Sequence, residues 1–170
     1  HVQNVALYAL EGTITFDALF SGDLNEDSAA ERLTDARFTA TFGGRLQIVG
    51  DDLLVTSPQR VGEAVVGAWC NAALIKVNQV GTVSEARAAL ERARGAGWGT
   101  LVSARSGDTE DLSIVHLSTG WDAGQIKVGS FARSERMAKW NELLRIEESL
   151  GSEAHYAGWD ALPRGVRRPC

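Results

Sequence analysis

Four points along this chain place reactive side chains one strand-plus-helix unit apart. They are Asp51, Lys76, the Ala104-Arg105-Ser106 group and Lys127, separated by 25 positions (51 to 76), 29 (76 to 105) and 22 (105 to 127). In parallel α/β folds such residues converge, because the C-terminal ends of the strands form one functional rim. A carboxylate, two lysines, an arginine and a serine gathered there suit a phosphorylated, anionic substrate, with Asp51 a candidate metal ligand. Three cations facing one another also depress each other's proton affinity, one route to a lysine that works as a base. Lys76 is the sharpest member, a lysine inside the otherwise apolar run Ala72 to Val77. A charge in that setting costs several kcal/mol unless it is paired or neutral. It either snorkels from a strand end to water or acts as a general base or substrate clamp.

The elements that must position these residues alternate with a regular beat. Thr13 to Phe20 reads as a strand, and Asn25 or Asp27 starts a helix to about Phe38 that Gly43-Gly44 ends. Val5 to Leu10 reads as a helix end broken by Gly12. Leu46 to Val49 is the next strand, closed by Gly50-Asp51-Asp52. Ser57 then caps a helix that has Pro58 at its first position. After the strand Ala72 to Val77, Thr82-Val-Ser-Glu85 has capping-box form and begins a helix with Val83, Ala86, Leu90 and Ala93 on one side. Gly95 and Gly97 stop it. Trp98 to Ser103 is a strand, Thr109 to about Ser118 a helix, and Gln125 to Val128 a short strand. Arg133 to Leu150 is the clearest helix, with Met137, Trp140 and Leu144 on its inner side and Gly151 past its end. The fold class is α/β, with five short apolar strands in a parallel sheet, either open or a section of a (β/α) barrel. Residues 1–151 form that unit, and 152–170 an irregular tail holding two of the three prolines.

Composition narrows the function classes. With 44% hydrophobic and 23% charged residues, the 170-residue chain has the balance of an ordinary globular domain. No apolar run reaches the roughly 18 residues of a membrane span. A net charge of −5 and the absence of a basic stripe with interleaved aromatics argue against nucleic acid as a partner. Arg164, Arg167 and Arg168 read as a solvated tail. Cys70 and Cys170 form neither a disulfide framework nor a metal motif; Cys70 reads as a small buried residue, and a reducing compartment follows. Gly95-Ala-Gly-Trp-Gly99 has a phosphate-loop look but follows a helix and precedes a strand, the wrong order for a dinucleotide site. His116, with Ile114 and Leu117 as neighbours, has no second ligand in view. Trp121 and Trp159 are candidate partner contacts.

The residues also carry a family resemblance. Gly50-Asp-Asp-Leu-Leu-Val-Thr56, Leu74-Ile-Lys-Val-Asn-Gln-Val-Gly-Thr82, Arg105-Ser-Gly-Asp-Thr-Glu-Asp111, Gly124-Gln-Ile-Lys-Val-Gly129 and Arg133-Ser-Glu-Arg136 through Leu144-Arg-Ile-Glu-Glu148 resemble the C-terminal part of enolase, in order and spacing, from about Leu46 to Gly151. The resemblance implies a partial TIM-type barrel of about the last five βα units. It implies that Asp51 binds the Mg2+ that stabilises an enolate and that Lys76 removes a proton from C2 of 2-phosphoglycerate. It further implies that Arg105 and Ser106 hold the phosphate and that Lys127 contacts the substrate carboxylate. A carbanion beside a carboxylate forms only when metal and lysine charge stabilise it.

The departures from that pattern set further expectations. Where the family reads Ser-His-Arg-Ser this chain reads Ser103-Ala104-Arg105-Ser106, so a substrate-contacting histidine becomes alanine. Aligned through Asn25-Glu26-Asp27, the family's metal-binding glutamate falls on Ser21; Asp17 substitutes only if the strand shifts. Tyr156-Ala-Gly-Trp-Asp160 departs from the family's Tyr-Ala-Gly-Glu-Asn. The family's other barrel strands and N-terminal domain supply the remaining acids, and a single carboxylate does not hold Mg2+ tightly. The expectation is therefore an enolase remnant without catalysis, a structural or interaction subunit whose open barrel side is covered by an obligate protein partner. The alternative is one part of a split enolase dehydrating 2-phosphoglycerate to phosphoenolpyruvate in glycolysis. Residual binding of phosphate or a small phospho-acid without turnover is a third reading. The resemblance implies the cytoplasm, or an organelle if a targeting segment was removed ahead of His1.

Overall fold

The computed structural model describes residues 13–15 and 29–166. The expectations that fall on Val5–Leu10, Asp17, Ser21, Arg167, Arg168 and Cys170 lie outside the described residues. In chain order the elements are β1 (Thr13–Thr15), α1 (Ala29–Phe42), β2 (Gln47–Gly50), α2 (Pro58–Gly67), β3 (Ala72–Ile75), α3 (Val77–Val80), α4 (Val83–Gly95), β4 (Gly99–Ser103), α5 (Ser113–Gly120), β5 (Gly124–Lys127) and α6 (Ser134–Leu150). Two 3₁₀ turns follow, Gly151–Glu153 and Gly158–Ala161.

Every strand pairs in parallel with the strand next to it in sequence, in the order β1-β2-β3-β4-β5. An open doubly wound sheet reverses its order at a switch point. No reversal occurs among these strands, so each crossover winds the same way and the architecture is a sector of a β/α barrel. This settles the choice left by strand spacing alone.

Side chains alternate faces along each strand, and the two faces are distinct. Ile48, Ala73, Ile75 and Val102 point outward into a core shared with Val61 and Ala64 of α2 and Ala86, Ala89, Leu90 and Ala93 of α4. Val49, Ala72, Leu74 and Leu101 form a second, inward cluster. Burying each large aliphatic side chain contributes about 1.5–3 kcal/mol. The inward set is continued at the N-terminal ends of the strands by Gln47 and Gln125, whose amides bond reciprocally at 2.9 and 2.8 Å across the barrel interior. Gln125 Nε2 also donates to Ala161 O at 2.9 Å, so the segment after α6 packs beneath the sheet.

Local signals explain most helix boundaries. Ser57 accepts from Arg60 N–H with Pro58 at the first helical position, as expected. Thr82 Oγ1 accepts from Glu85 N–H and donates to the Glu85 carboxylate. Gly97, at φ +78°, turns the chain from α4 into β4, so the glycine-rich stretch is a helix stop. Cys70 is buried, 2% exposed, as read from its neighbours.

Several boundaries differ from the sequence reading. β3 ends at Ile75, and Val77–Val80 is a helical turn; Val77, β-branched and next to the apolar run, reads equally well as the last residue of the strand. Lys76 therefore stands just past the strand, at the cap of α3. α1 continues to Phe42. α5 begins at Ser113 because residues 108–113 are taken up by side-chain turns. Asp108 Oδ1 accepts from Thr109 N–H, Thr109 Oγ1 from Asp111 N–H, and Asp111 Oδ1 from Ser113 N–H. Val83 is 49% and Leu144 63% exposed, so neither lies on its helix's inner side. The buried residue of α6 is Lys139.

Candidate functional site

The inward rows of the sheet run on past the C-terminal strand ends. Val49 leads to Asp51, Ala72 and Leu74 to Lys76, and Gln125 to Lys127, each two positions further along the same face. Ser103 pairs with Lys127 in the register of β4 and β5, and Arg105 follows two residues on. A cavity of about 960 Å³ opens over this end, and Asp51, Lys76, Arg105, Ser106 and Lys127 all line it. The residues singled out by type and spacing are thus brought together. Asp52, Arg133 and Arg136 join them at the wall, so five cationic side chains face two carboxylates. A concave surface with that excess of positive charge favours a small polyanion.

Lys76 answers the question its setting posed. Its Nζ lies 2.5 Å from Asp51 Oδ1, with side-chain exposures of 12% and 5%. That oxygen receives no properly directed hydrogen bond, so the contact is primarily Coulombic. The backbone of Lys76 is fixed separately, its N–H donating to Thr56 Oγ1 at 3.0 Å. Thr56 in turn donates to Gln79 Oε1, and Gln79 Nε2 reaches Asp52 Oδ1 at 3.3 Å. Val55 and Thr56 have φ of +43° and +55°, a left-handed conformation that costs β-branched residues about 1–3 kcal/mol each. Burial of Thr56 and its two bonds hold the loop there, and the loop holds Asp51 beneath Lys76.

The other members are placed by backbone contacts. Arg105 Nη1 donates to Asn78 O at 3.2 Å, joining the β4 loop to α3. Ala104 N–H donates to Lys127 O at 2.9 Å, and the residue, 8% exposed, forms part of the cavity wall. Sequence reasoning missed Thr56, Gln79, Arg133 and Arg136 as parts of the site. All four stand inside the motifs that carry the family resemblance, which is the signal by which they were findable.

Outside the cavity, His116 Nε2 lies 3.2 Å from Glu142 Oε1, a contact between α5 and α6. Trp121 packs partly buried against the core, and Trp159 is 38% exposed. Arg164 donates its N–H to Gly97 O, so the tail's first arginine is attached through its backbone to the α4–β4 turn.

The loop that carries Arg105 and Ser106 ends in a carboxylate with a shifted titration. The Ser113 hydroxyl, then the Ser113 N–H, hold Asp111 below the ordinary carboxylate value, and Lys139 adds a smaller Coulombic part. A lowered folded-state value means that the unfolded chain binds the proton more readily. The stabilisation is complete above the ordinary aspartate value near about 4 and is lost as pH falls through the lowered one. Asp111→Asn is expected to remove that part of the acid-side slope in urea midpoints measured from neutral to acidic pH. An unchanged slope would show that Asp111 plays no such role.

Comparison with known proteins agrees with this architecture. The family model described as enolase, C-terminal TIM barrel domain, matches residues 24–164. Over 125 residues, 74% of this chain and 28% of the relative, the chain is 57% identical to an enolase of Solanum lycopersicum. It is 57% identical to an enolase of Mastigamoeba balamuthi over 73% of this chain and 28% of the relative. For an enolase of Acidothermus cellulolyticus the identity is 50%, covering 82% and 33%. The fold is that of a β/α barrel with its reactive groups at the C-terminal strand ends. The chain belongs to the enolase family, within its C-terminal TIM barrel domain, and spans about a third or less of the length of these relatives.

The Mg2+ that enolase membership implies can be compared with the donor set. Asp51 Oδ1 is buried and free of hydrogen bonds, as a metal ligand would be, but Lys76 Nζ already stands against it. Among the described residues no three His, Cys, Asp or Glu side chains converge. Mg2+ requires near-octahedral oxygen ligation and gives up its water reluctantly. The described residues do not fit a resident Mg2+.

Proposed function

We propose that this chain keeps the anion-binding rim of an enolase without its turnover, and that it serves as a structural or interaction part of a larger assembly. Ala104 carries this reading. It lines the cavity between Ser103 and Arg105 where the family pattern places a substrate-contacting histidine, and a methyl group neither donates nor accepts a proton. Arg105 and Ser106 hold the phosphate of a small phospho-acid, and Lys127 meets its carboxylate. Lys76, paired with Asp51, keeps the floor of the site electrically balanced rather than taking a proton from substrate. Among the described residues β1 and β5 each have one sheet neighbour, and their outer edges favour completion of the barrel by further protein.

Turnover of 2-phosphoglycerate is the second reading, favoured by the convergence of Asp51, Lys76, Arg105, Ser106 and Lys127 on one cavity. A Mg2+-supplemented dehydration assay on the native protein and on Ala104→His separates the two. No phosphoenolpyruvate is expected from the native protein, and Ala104→His is expected to bind 2-phosphoglycerate more tightly. Turnover by the native protein within about tenfold of an ordinary enzyme kcat of about 10 s⁻¹ would establish the second reading instead.

A further inference from the structure

Lys139 is the one fully buried lysine among the described residues, 0% exposed, on the helix that follows the last strand. An ammonium ion in such a place loses its hydration, and replacing a buried charge by an apolar side chain of like volume is often neutral or stabilising. Fold stability alone therefore does not account for it. Its bonds do. Lys139 Nζ donates to Thr109 O at 2.6 Å and to Glu135 O at 3.1 Å, with Asp108 Oδ2 3.9 Å away. It thus ties the loop carrying Arg105 and Ser106 to α6.

One turn earlier, Arg136 makes the complementary attachment. Its guanidinium donates to Val128 O, just past β5, at 2.8 Å and to Arg105 O at 3.1 Å. A single planar fork therefore spans the loop that bears Arg105 and the loop that begins just after Lys127, the last residue of β5. Arg136 and Lys139, three residues apart, share one face of α6.

We infer that Arg136 and Lys139 are positioning residues that clamp the β4 and β5 loops together and so set the separation of the anion-binding groups. This rests on the reading of the cavity as an anion-binding rim. Small displacements matter there, because a phosphate held by several donors loses affinity steeply when one moves.

The probe is inorganic phosphate, titrated by calorimetry against the full native protein, against Lys139→Met and against Arg136→Lys, with hydrogen exchange of the 105–112 amides followed in parallel. Lys139→Met keeps volume, and Lys139 does not line the cavity. Arg136→Lys keeps the positive charge at the wall and removes the fork. Both variants are expected to bind phosphate about tenfold more weakly, with faster exchange across 105–112. Native-like affinity and exchange in the variants, beside a native protein that binds, would overturn the clamp while leaving the rim intact. No binding by the native protein would instead overturn the rim, and the clamp with it. If Lys139→Met does not fold, Arg136→Lys decides: unchanged affinity there contradicts the clamp, because simple charge attraction survives in that variant.

Discussion

Asn71→Ala is expected to destabilise the protein by about 2–4 kcal/mol, from the loss of three hydrogen bonds to backbone groups. Asn71 Oδ1 accepts from Ile48 N–H at 2.6 Å, and Nδ2 donates to Gly43 O at 3.0 Å and Leu46 O at 2.9 Å. One side chain thereby joins the end of α1, the following turn and the first residues of β2 to the start of β3. Its own backbone continues the connection, N–H to Ile48 O and carbonyl from Gly99 N–H, each at 3.0 Å. Alanine leaves the fully buried Ile48 amide without its partner, and a bare buried donor costs about 1–3 kcal/mol. Asn71→Asp provides the control: it keeps the acceptor and turns the two donors into an oxygen facing two carbonyls. Urea unfolding should place both variants well below the parent. A loss under about 0.5 kcal/mol for Asn71→Ala, the range of an ordinary surface change, would refute this role.

The second large effect is expected at the cavity floor. Lys76→Met leaves the Asp51 carboxylate, 5% exposed, without its cation. Removing one partner of a fully buried pair costs about 3–5 kcal/mol; here the adjoining cavity admits water, and about 2–3 kcal/mol is expected. The double variant Lys76→Met/Asp51→Asn removes the charge as well as its partner and should recover at least about 1 kcal/mol of that loss, since contacting residues are coupled. Strict additivity of the two single changes in urea unfolding would show that the 2.5 Å contact contributes nothing.

Much of this arrangement was legible in the sequence. The beat of short apolar runs and capped helices indicates parallel βα units, and their spacing places Asp51, Lys76 and Lys127 at the C-terminal strand ends of one rim. What the pattern did not yield was which way the sheet winds. Spacing is equally compatible with an open sheet, and only the pairing order distinguishes the barrel sector. Nor did it yield the short α3, because Val77-Asn-Gln-Val80 is too brief and too β-branched to differ from a strand. The start of α5 departs from the sequence pattern for a different reason: Asp108, Thr109 and Asp111 use their side chains to satisfy N–H groups in a run of turns ahead of the helix.

The buried lysine is the most instructive difference. An apolar neighbourhood in sequence drew attention to Lys76, yet that residue sits at a strand end against a carboxylate and a cavity. Lys139 stands between Ala138 and Trp140, with Arg136 and Glu142 three positions away on either side of a highly charged helix, and nothing local marks it as buried. Its burial depends on the loop after β4 folding across α6, a contact some 30 residues distant in the chain, from Thr109 to Lys139. Site residues at strand ends follow from periodicity; those that hold the loops follow only from tertiary contact.

On the proposed reading, the rim binds a phospho-acid that the protein does not convert. The most direct test of that reading is equilibrium titration of the native protein with 2-phosphoglycerate, with and without Mg2+, followed by analysis of the recovered ligand. Saturable binding in both conditions, with the ligand recovered as 2-phosphoglycerate, is the expected result. Phosphoenolpyruvate in the recovered ligand, or no binding in either condition, would contradict it.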